Sequence, residues 1–87
     1  MITIDRERCA NLLAARVREM RLAAGITQAE LARRTGINRP NIARIENARS
    51  GQIPEIETLM RVALGLRRPV LELLSVLEIA VSGRDEA

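Results

Sequence analysis

The sequence lacks histidine, lysine and all three aromatic residues, and its 87 residues include a single cysteine. Without histidine, and with one thiol, the chain cannot assemble a four-ligand nitrogen and sulfur metal site by itself. The missing aromatics exclude a stacking platform for single-stranded nucleic acid. General acid–base catalysis would fall to carboxylates, and no pair of them lies in an apolar setting. We therefore expect neither an enzyme nor a cofactor or metal requirement.

Cysteine and long apolar runs are equally scarce. Cys9 has no partner for an intrachain disulfide, so we expect a reduced thiol in a cytoplasmic protein. The polar amino terminus does not resemble a signal peptide. The longest nearly apolar stretch, residues 70–81, contains Glu72, Ser75 and Glu78 and is too short to span a bilayer. These features predict a domain without membrane association.

Charge is distributed unevenly along the chain. Every one of the 14 basic residues is arginine, and 11 acidic residues leave a net charge of +3. Residues 25–49 are basic, whereas residues 70–87 are acidic. The basic part carries Arg33, Arg34, Arg39, Arg44 and Arg49. A basic segment beside an acidic one indicates a local anionic partner.

Helical spacing of apolar residues predicts an all-α domain of five helices over residues 1–82, followed by a frayed tail at 83–87. The first helix runs from Asp5 or Arg6 to Ala24, and Gly25 ends it. The second begins at the capping box formed by Thr27 and Glu30, and Gly36 ends it. The third has Asn38 as its N-cap and Pro40 in its first turn.

Two further helices follow. The fourth is predicted from Glu55 to Leu64, ended by Gly65, with an apolar stripe of Ile56, Leu59, Met60 and Ala63. The fifth is predicted over 69–81, with a core stripe of Val70, Leu73, Leu74 and Leu77. Its other apolar positions, which lie partly off that stripe, are Leu71, Val76, Ile79 and Val81. A monomer could pack some of them under the first helix, but we predict that they form a homodimer interface.

The spacing within residues 27–47 carries the functional prediction. Gly36 separates two short capped helices, and we expect Ala29 and Ala32 to lie at their junction. Small contact residues allow two helices to cross steeply through a tight turn, as a helix-turn-helix requires. The second of these helices would present its amino-terminal end to a DNA duplex.

The segments TQAELA at 27–32, GIN at 36–38 and IARIEN at 42–47 resemble the Xre/Cro-type family of phage and bacterial repressors. The segment LMRVALG at 59–65 resembles the fourth helix of that family. This resemblance covers residues 12–77 and implies a five-helix, lambda-repressor-like domain that binds double-stranded operator DNA as a homodimer. Two departures stand out: Ala48 occupies a position where the family often has glycine, and Pro40 lacks an amide for reading adenine.

The resemblance also implies roles for individual residues. The base-facing positions of the recognition helix are Arg39, Pro40 and Arg44. The phosphate-contacting positions are Gln28, Asn38, Asn41, Asn47, Arg49 and Ser50. Arg21 and Glu46 match a structural ion pair that ties the first helix to the third.

The function most consistent with these features is transcriptional regulation by operator occupancy. Two related alternatives remain open, and both also bind DNA: the antitoxin of a toxin–antitoxin pair, with a toxin on another surface, and the controller protein of a restriction–modification system. A protein-interaction module that has lost DNA binding is a third alternative, although Arg39, Arg44 and Arg49 argue against it.

Overall fold

The computed structural model describes residues 1–48 and 51–82, with side chains as far as residue 80. Within these ranges the regular structure is entirely helical, which confirms the predicted all-α fold. Two short helices occupy the place of the predicted fifth helix. In chain order the helices are α1 (Arg6–Ala23), α2 (Gln28–Thr35), α3 (Arg39–Asn47), α4 (Ile56–Leu66), α5 (Val70–Leu74) and α6 (Leu77–Ser82).

The ends of α1, α2 and α3 follow from local chemistry. The Asp5 side chain accepts a hydrogen bond from the Arg8 amide at 3.0 Å and caps the start of α1. Gly25 and Gly36 follow α1 and α2 with φ of +72° and +76°, a conformation that costs glycine little. Asn38 caps α3, and Pro40 lies in its first turn.

One hydrophobic core holds all six helices together. Its completely buried members come from five helices, and they include Leu13, Val17, Leu31, Ile42, Val62 and Leu73. Ala32 is partly buried against this core, whereas Ala29 is exposed, so the expectation that both alanines lie at a helix junction is wrong for Ala29. Leu31 of α2 and Ile42 of α3 both belong to this core, which links the two helices.

The buried face of α4 differs from the predicted stripe. Leu59 and Ala63 are buried as expected, but the face is completed by Val62 and Leu66. Ile56 and Met60 are exposed instead. A helix with apolar residues on more than one face leaves the choice of inner face to its neighbours, because periodicity alone fits several rotations.

Gly65 does not end α4, which continues to Leu66 and stops at Arg67 with φ of +59°. Gly65 is buried inside the helix, at the place where α4 approaches α2. A β-carbon at this position would lie 2.6 Å from Thr35 Cγ2 and 3.1 Å from Leu31 Cδ1. The glycine therefore permits close packing of two helices rather than a turn.

The predicted helix over 69–81 is broken at Ser75. The Ser75 hydroxyl donates to the Glu72 carbonyl at 2.9 Å, and the amides of Glu78 and Ile79 donate to carbonyls three residues earlier. These tighter hydrogen bonds bend the chain between α5 and α6. Val76 consequently lies in the core, with 6% of its surface exposed, so its predicted position off the core stripe is wrong.

Two residues of the predicted homodimer interface, Leu71 and Ile79, are exposed, as that prediction requires. The Val81 side chain and the tail at 83–87 lie outside the described residues. Within the described ranges, no helix is long and apolar enough to cross a membrane.

Candidate nucleic-acid interface

The start of α2 is fixed by Thr27. Its hydroxyl accepts a hydrogen bond from the Glu30 amide at 3.0 Å, which is half of the predicted capping box. The Glu30 carboxylate turns to Arg33 and Arg34 instead of returning to the Thr27 amide. These two arginines lower the pKa of Glu30 to about 2 by hydrogen bonding to its charged form. One of the two positive charges of Arg33 and Arg34 is therefore balanced within the protein.

Hydrogen bonds within the turn between α2 and α3, and one from the end of α2 to α4, stabilise this turn. The Thr35 hydroxyl donates to the Leu31 carbonyl at 2.8 Å and accepts from the Ile37 amide at 3.2 Å. Arg34 also donates to the Gly65 carbonyl at 3.1 Å, which ties the end of α2 to α4. These contacts fix the direction in which α3 leaves the turn.

The amino-terminal end of α3 is capped and open to solvent. Asn38 Oδ1 accepts a hydrogen bond from the Asn41 backbone N–H at 2.9 Å. The side-chain NH2 group of Asn38 is therefore available to a ligand. Asn38, Arg39 and Pro40 are exposed, and Asn41 is half-buried. An exposed helix start offers amide donors and a positive dipole end to an anion.

The two faces of α3 have opposite characters. Ile42 and Glu46 are buried, four residues apart on one face. The opposite face carries Pro40, Arg44 and Asn47, which are all exposed, and Arg39 is exposed at the first position of the helix. The structure thus brings together the three residues predicted to face bases, with Asn47 on the same side of the helix as Pro40 and Arg44.

The buried face of α3 is anchored by a polar network. Arg21 Nε and Nη2 donate to the two Glu46 oxygens at 2.7 and 3.0 Å, and Arg21 Nη1 donates to the Ile26 carbonyl at 2.8 Å. The side chains of Arg21 and Glu46 are only 10% and 2% exposed. The hydrogen bonds from Arg21 to Glu46 raise the pKa of the Arg21 guanidinium further above its usual range. The predicted ion pair is present with bidentate geometry.

Gln28 joins this network, a contact that the sequence did not suggest. Its Nε2 donates to Glu46 Oε1 at 3.2 Å, so the first residue of α2 is connected to the inner face of α3. One amide hydrogen and the carbonyl oxygen of this side chain keep further bonding capacity. The predicted phosphate contact of Gln28 is compatible with this arrangement, because Gln28 is only partly buried.

An open cleft of about 600 Å³ lies between α3 and the start of α4. Asn38, Asn41 and Arg44 line one side, and Gln52, Thr58 and Arg61 line the other. The last three were not predicted as site residues. Thr58 and Arg61 are three residues apart in the sequence, a spacing that places them on one face of a helix. The sequence does not show that this face lies beside α3.

The segment after α3 is described only in part. Ala48 ends the helix with φ of +54°, a left-handed conformation that costs alanine about 1 kcal/mol more than glycine. This explains why glycine suits the position better. The predicted phosphate contacts Arg49 and Ser50 lie outside the described residues.

A short capped helix, a three-residue turn and a second helix with an exposed arginine face define a helix-turn-helix, the class of domain that presents its second helix to the major groove. A comparison with protein-family models agrees with this geometry. The family described as "Helix-turn-helix domain" matches residues 12–74, which is most of the chain. The chain belongs to the helix-turn-helix domain family. No curated protein and no solved structure matched it.

Proposed function

We propose that this chain is a sequence-specific transcriptional regulator of the Xre/Cro type, which binds double-stranded operator DNA as a homodimer and acts by occupying the operator. The observation that carries this proposal is the exposed face of α3. Arg44 lies on it, Arg39 is exposed at the amino-terminal end of the same helix, and the opposite face is anchored in the core by Ile42 and Glu46. A rigidly held helix with two arginines directed outward suits the readout of base edges in the major groove.

The electrostatics of α3 support the same function. Glu46 is the only carboxylate in α3, and it is buried and bonded to Arg21. The negative charge is therefore hidden from the face that would meet phosphate, whereas both arginines of the helix remain exposed. A carboxylate on the outer face would repel the duplex instead.

Contacts to the DNA backbone would surround this face. We assign them to Gln28, Asn38, Asn41, Asn47, Arg49 and Ser50. Such contacts set the register of the protein on the duplex, whereas Arg39, Pro40 and Arg44 would meet the bases. Pro40 has no hydrogen-bond donor on its ring, so its contribution would be apolar, for example against a thymine methyl group.

Replacing Arg44 tests the assignment of the base-reading face. A duplex selected from a randomised library by the wild-type protein supplies the binding site, and single-base variants of it are then titrated by fluorescence anisotropy. If Arg44 donates both of its hydrogen bonds to a guanine, Arg44→Ala should lose about 1–3 kcal/mol of discrimination at one base pair, with smaller changes elsewhere.

The matched control removes the same charge away from α3. Arg68 lies in the connection between α4 and α5 and is paired with Glu72, so Arg68→Ala should preserve the base preference. An Arg44→Ala protein that keeps the wild-type preference at every position would show that Arg44 does not read bases. An equal loss on all duplexes would assign Arg44 to the phosphate backbone.

A further inference from the structure

The outer side of α4 carries an apolar stripe that the fold leaves uncovered. Ile56, Met60 and Leu64 are spaced four residues apart and are 60%, 49% and 76% exposed. This spacing places the three side chains in one row along the helix. None of them lines the cleft beside α3, so the row is a surface separate from that cleft.

We propose that the stripe of Ile56, Met60 and Leu64 binds the same stripe of a second copy of this chain, with the two α4 helices antiparallel about a twofold axis at Met60. The inference rests on the homodimer of the proposed function and assigns its interface. A twofold axis requires a surface that complements itself. The stripe meets this condition, since antiparallel pairing places Met60 against its counterpart and Ile56 of one copy against Leu64 of the other.

Charge complementarity favours a second copy over an unrelated partner. Glu57 and Arg61 border the stripe on one side and form an ion pair within the chain, with Arg61 Nη2 3.0 Å from Glu57 Oε2. In an antiparallel pair of helices the same borders meet. Glu57 of each copy then lies near Arg61 of the other, so the two ion pairs can join into a network of alternating charge.

The size of the stripe fits a modest dimer. Its three side chains expose on the order of 350 Å² of surface, within the range of functional apolar patches on small proteins. Together with Glu57, Arg61 and their neighbours, such a contact approaches the roughly 600 Å² per partner at the lower limit of specific interfaces. Binding of both copies to one operator would strengthen the association by mass action.

The homodimer interface predicted on residues 69–81 is not a continuous surface in the structure. Val76 lies in the core, and the bend at Ser75 places Leu71 and Ile79 on two separate short helices. The row on α4 lies within one helix of three turns. We therefore assign the contact to α4, and Leu71 and Ile79 provide matched controls of similar exposure.

Analytical ultracentrifugation of the full chain at tens of micromolar tests this assignment. The wild-type protein should sediment as a dimer. Met60→Glu should raise the dimer dissociation constant at least 100-fold and leave a helical monomer by circular dichroism, because Met60 is exposed in the single copy. Leu71→Glu and Ile79→Glu should remain dimeric.

A charge exchange provides an independent readout. Glu57→Arg should weaken the dimer, since two like charges then meet across the axis, and adding Arg61→Glu should restore it. A wild-type monomer at tens of micromolar would overturn the proposal. A Met60→Glu dimer would also overturn it, and dissociation by Leu71→Glu, by Ile79→Glu or by removal of residues 1–4 would then locate the interface.

Self-association and DNA binding can fail separately in these experiments. A wild-type monomer that binds a duplex through Arg44 would retain the DNA-binding function and refute the α4 interface. A dimer dissociated by Met60→Glu that binds no duplex would support the interface and refute the proposed function.

Discussion

Replacing Glu46 with alanine is expected to lower the free energy of unfolding by about 3–5 kcal/mol, because it leaves the buried Arg21 guanidinium without its partner. Two of the three bonds that Arg21 makes go to the Glu46 carboxylate. The third, to the Ile26 carbonyl, would remain but would not compensate the charge. Small domains have a total stability of about 5–15 kcal/mol, so a loss of this size should be plain in urea denaturation.

Removing both charges should cost less than removing one. The double variant Arg21→Met with Glu46→Met replaces the pair by apolar side chains, and no buried charge is left unpaired. Comparison of the two single variants with the double variant gives the coupling energy directly. Glu19→Ala is the control, since Glu19 is exposed and lies 3.9 Å from Arg16, and it should change stability by less than about 1 kcal/mol. Single variants at Arg21 and Glu46 whose effects simply add would show that the two side chains do not depend on each other.

The second large effect is expected at Gly65. Gly65→Val should destabilise the protein by about 3 kcal/mol, because the added side chain would overlap Thr35 and Leu31 across the contact between α2 and α4. Ala15→Val, at an exposed position of α1, measures the effect of a branched side chain in a helix alone and should cost about 0.6 kcal/mol.

The identity of the obstructing atom can also be tested. Gly65→Ala should lower the free energy of unfolding less than Gly65→Val, because alanine is smaller than valine and favours the helix by about 1 kcal/mol over glycine. Thr35→Ser removes Cγ2 and keeps the hydroxyl that bonds to the Leu31 carbonyl. Adding it to Gly65→Ala should recover stability relative to the single variant. Thermal and urea unfolding at one protein concentration provide the measurement. A Gly65→Val protein as stable as the wild type would mean that α2 and α4 are not in close contact here.

Local signals in the sequence predicted the helix-turn-helix well. Asn38 and Thr27 accept hydrogen bonds from amides three residues ahead, and Gly36 takes up the left-handed conformation that ends α2. Each of these features depends on neighbours within a few residues. The pairing of Arg21 with Glu46 spans 25 residues, and it was inferred from the resemblance to a family rather than from local chemistry.

The errors concern which face a helix turns inward and where a helix ends. Gly65 was expected to end α4 because glycine commonly does so, whereas its actual role depends on Thr35, which lies 30 residues earlier. Met60 was expected to be buried and is exposed, whereas Val76 was expected to be exposed and is buried. Met60 lies in a helix, and Val76 in a segment predicted as a helix, with more apolar residues than one face can hold. In such helices the choice depends on packing between distant segments, which periodicity does not describe.

The hydrogen bond from Gln28 to Glu46 also depends on packing between distant segments. A glutamine at the start of α2 has no sequence feature that relates it to the end of α3, and the contact exists only because the turn between the helices brings them together. The cleft residues Thr58 and Arg61 were missed for the same reason. The candidate interface is therefore partly a local property of α3 and partly a product of the fold.

Binding of the wild-type protein to its selected duplex, titrated with salt, tests the central claim most directly. Fluorescence anisotropy between 50 and 200 mM salt should give an affinity that falls steeply, because each phosphate neutralised by the protein contributes about −0.9 to the slope of log K against log salt. With Arg49 and nearby arginines from two copies, we expect a slope of about −2 or steeper, and much weaker binding to either single strand. Absence of duplex binding at 50 mM salt, or an affinity independent of salt, would contradict the account.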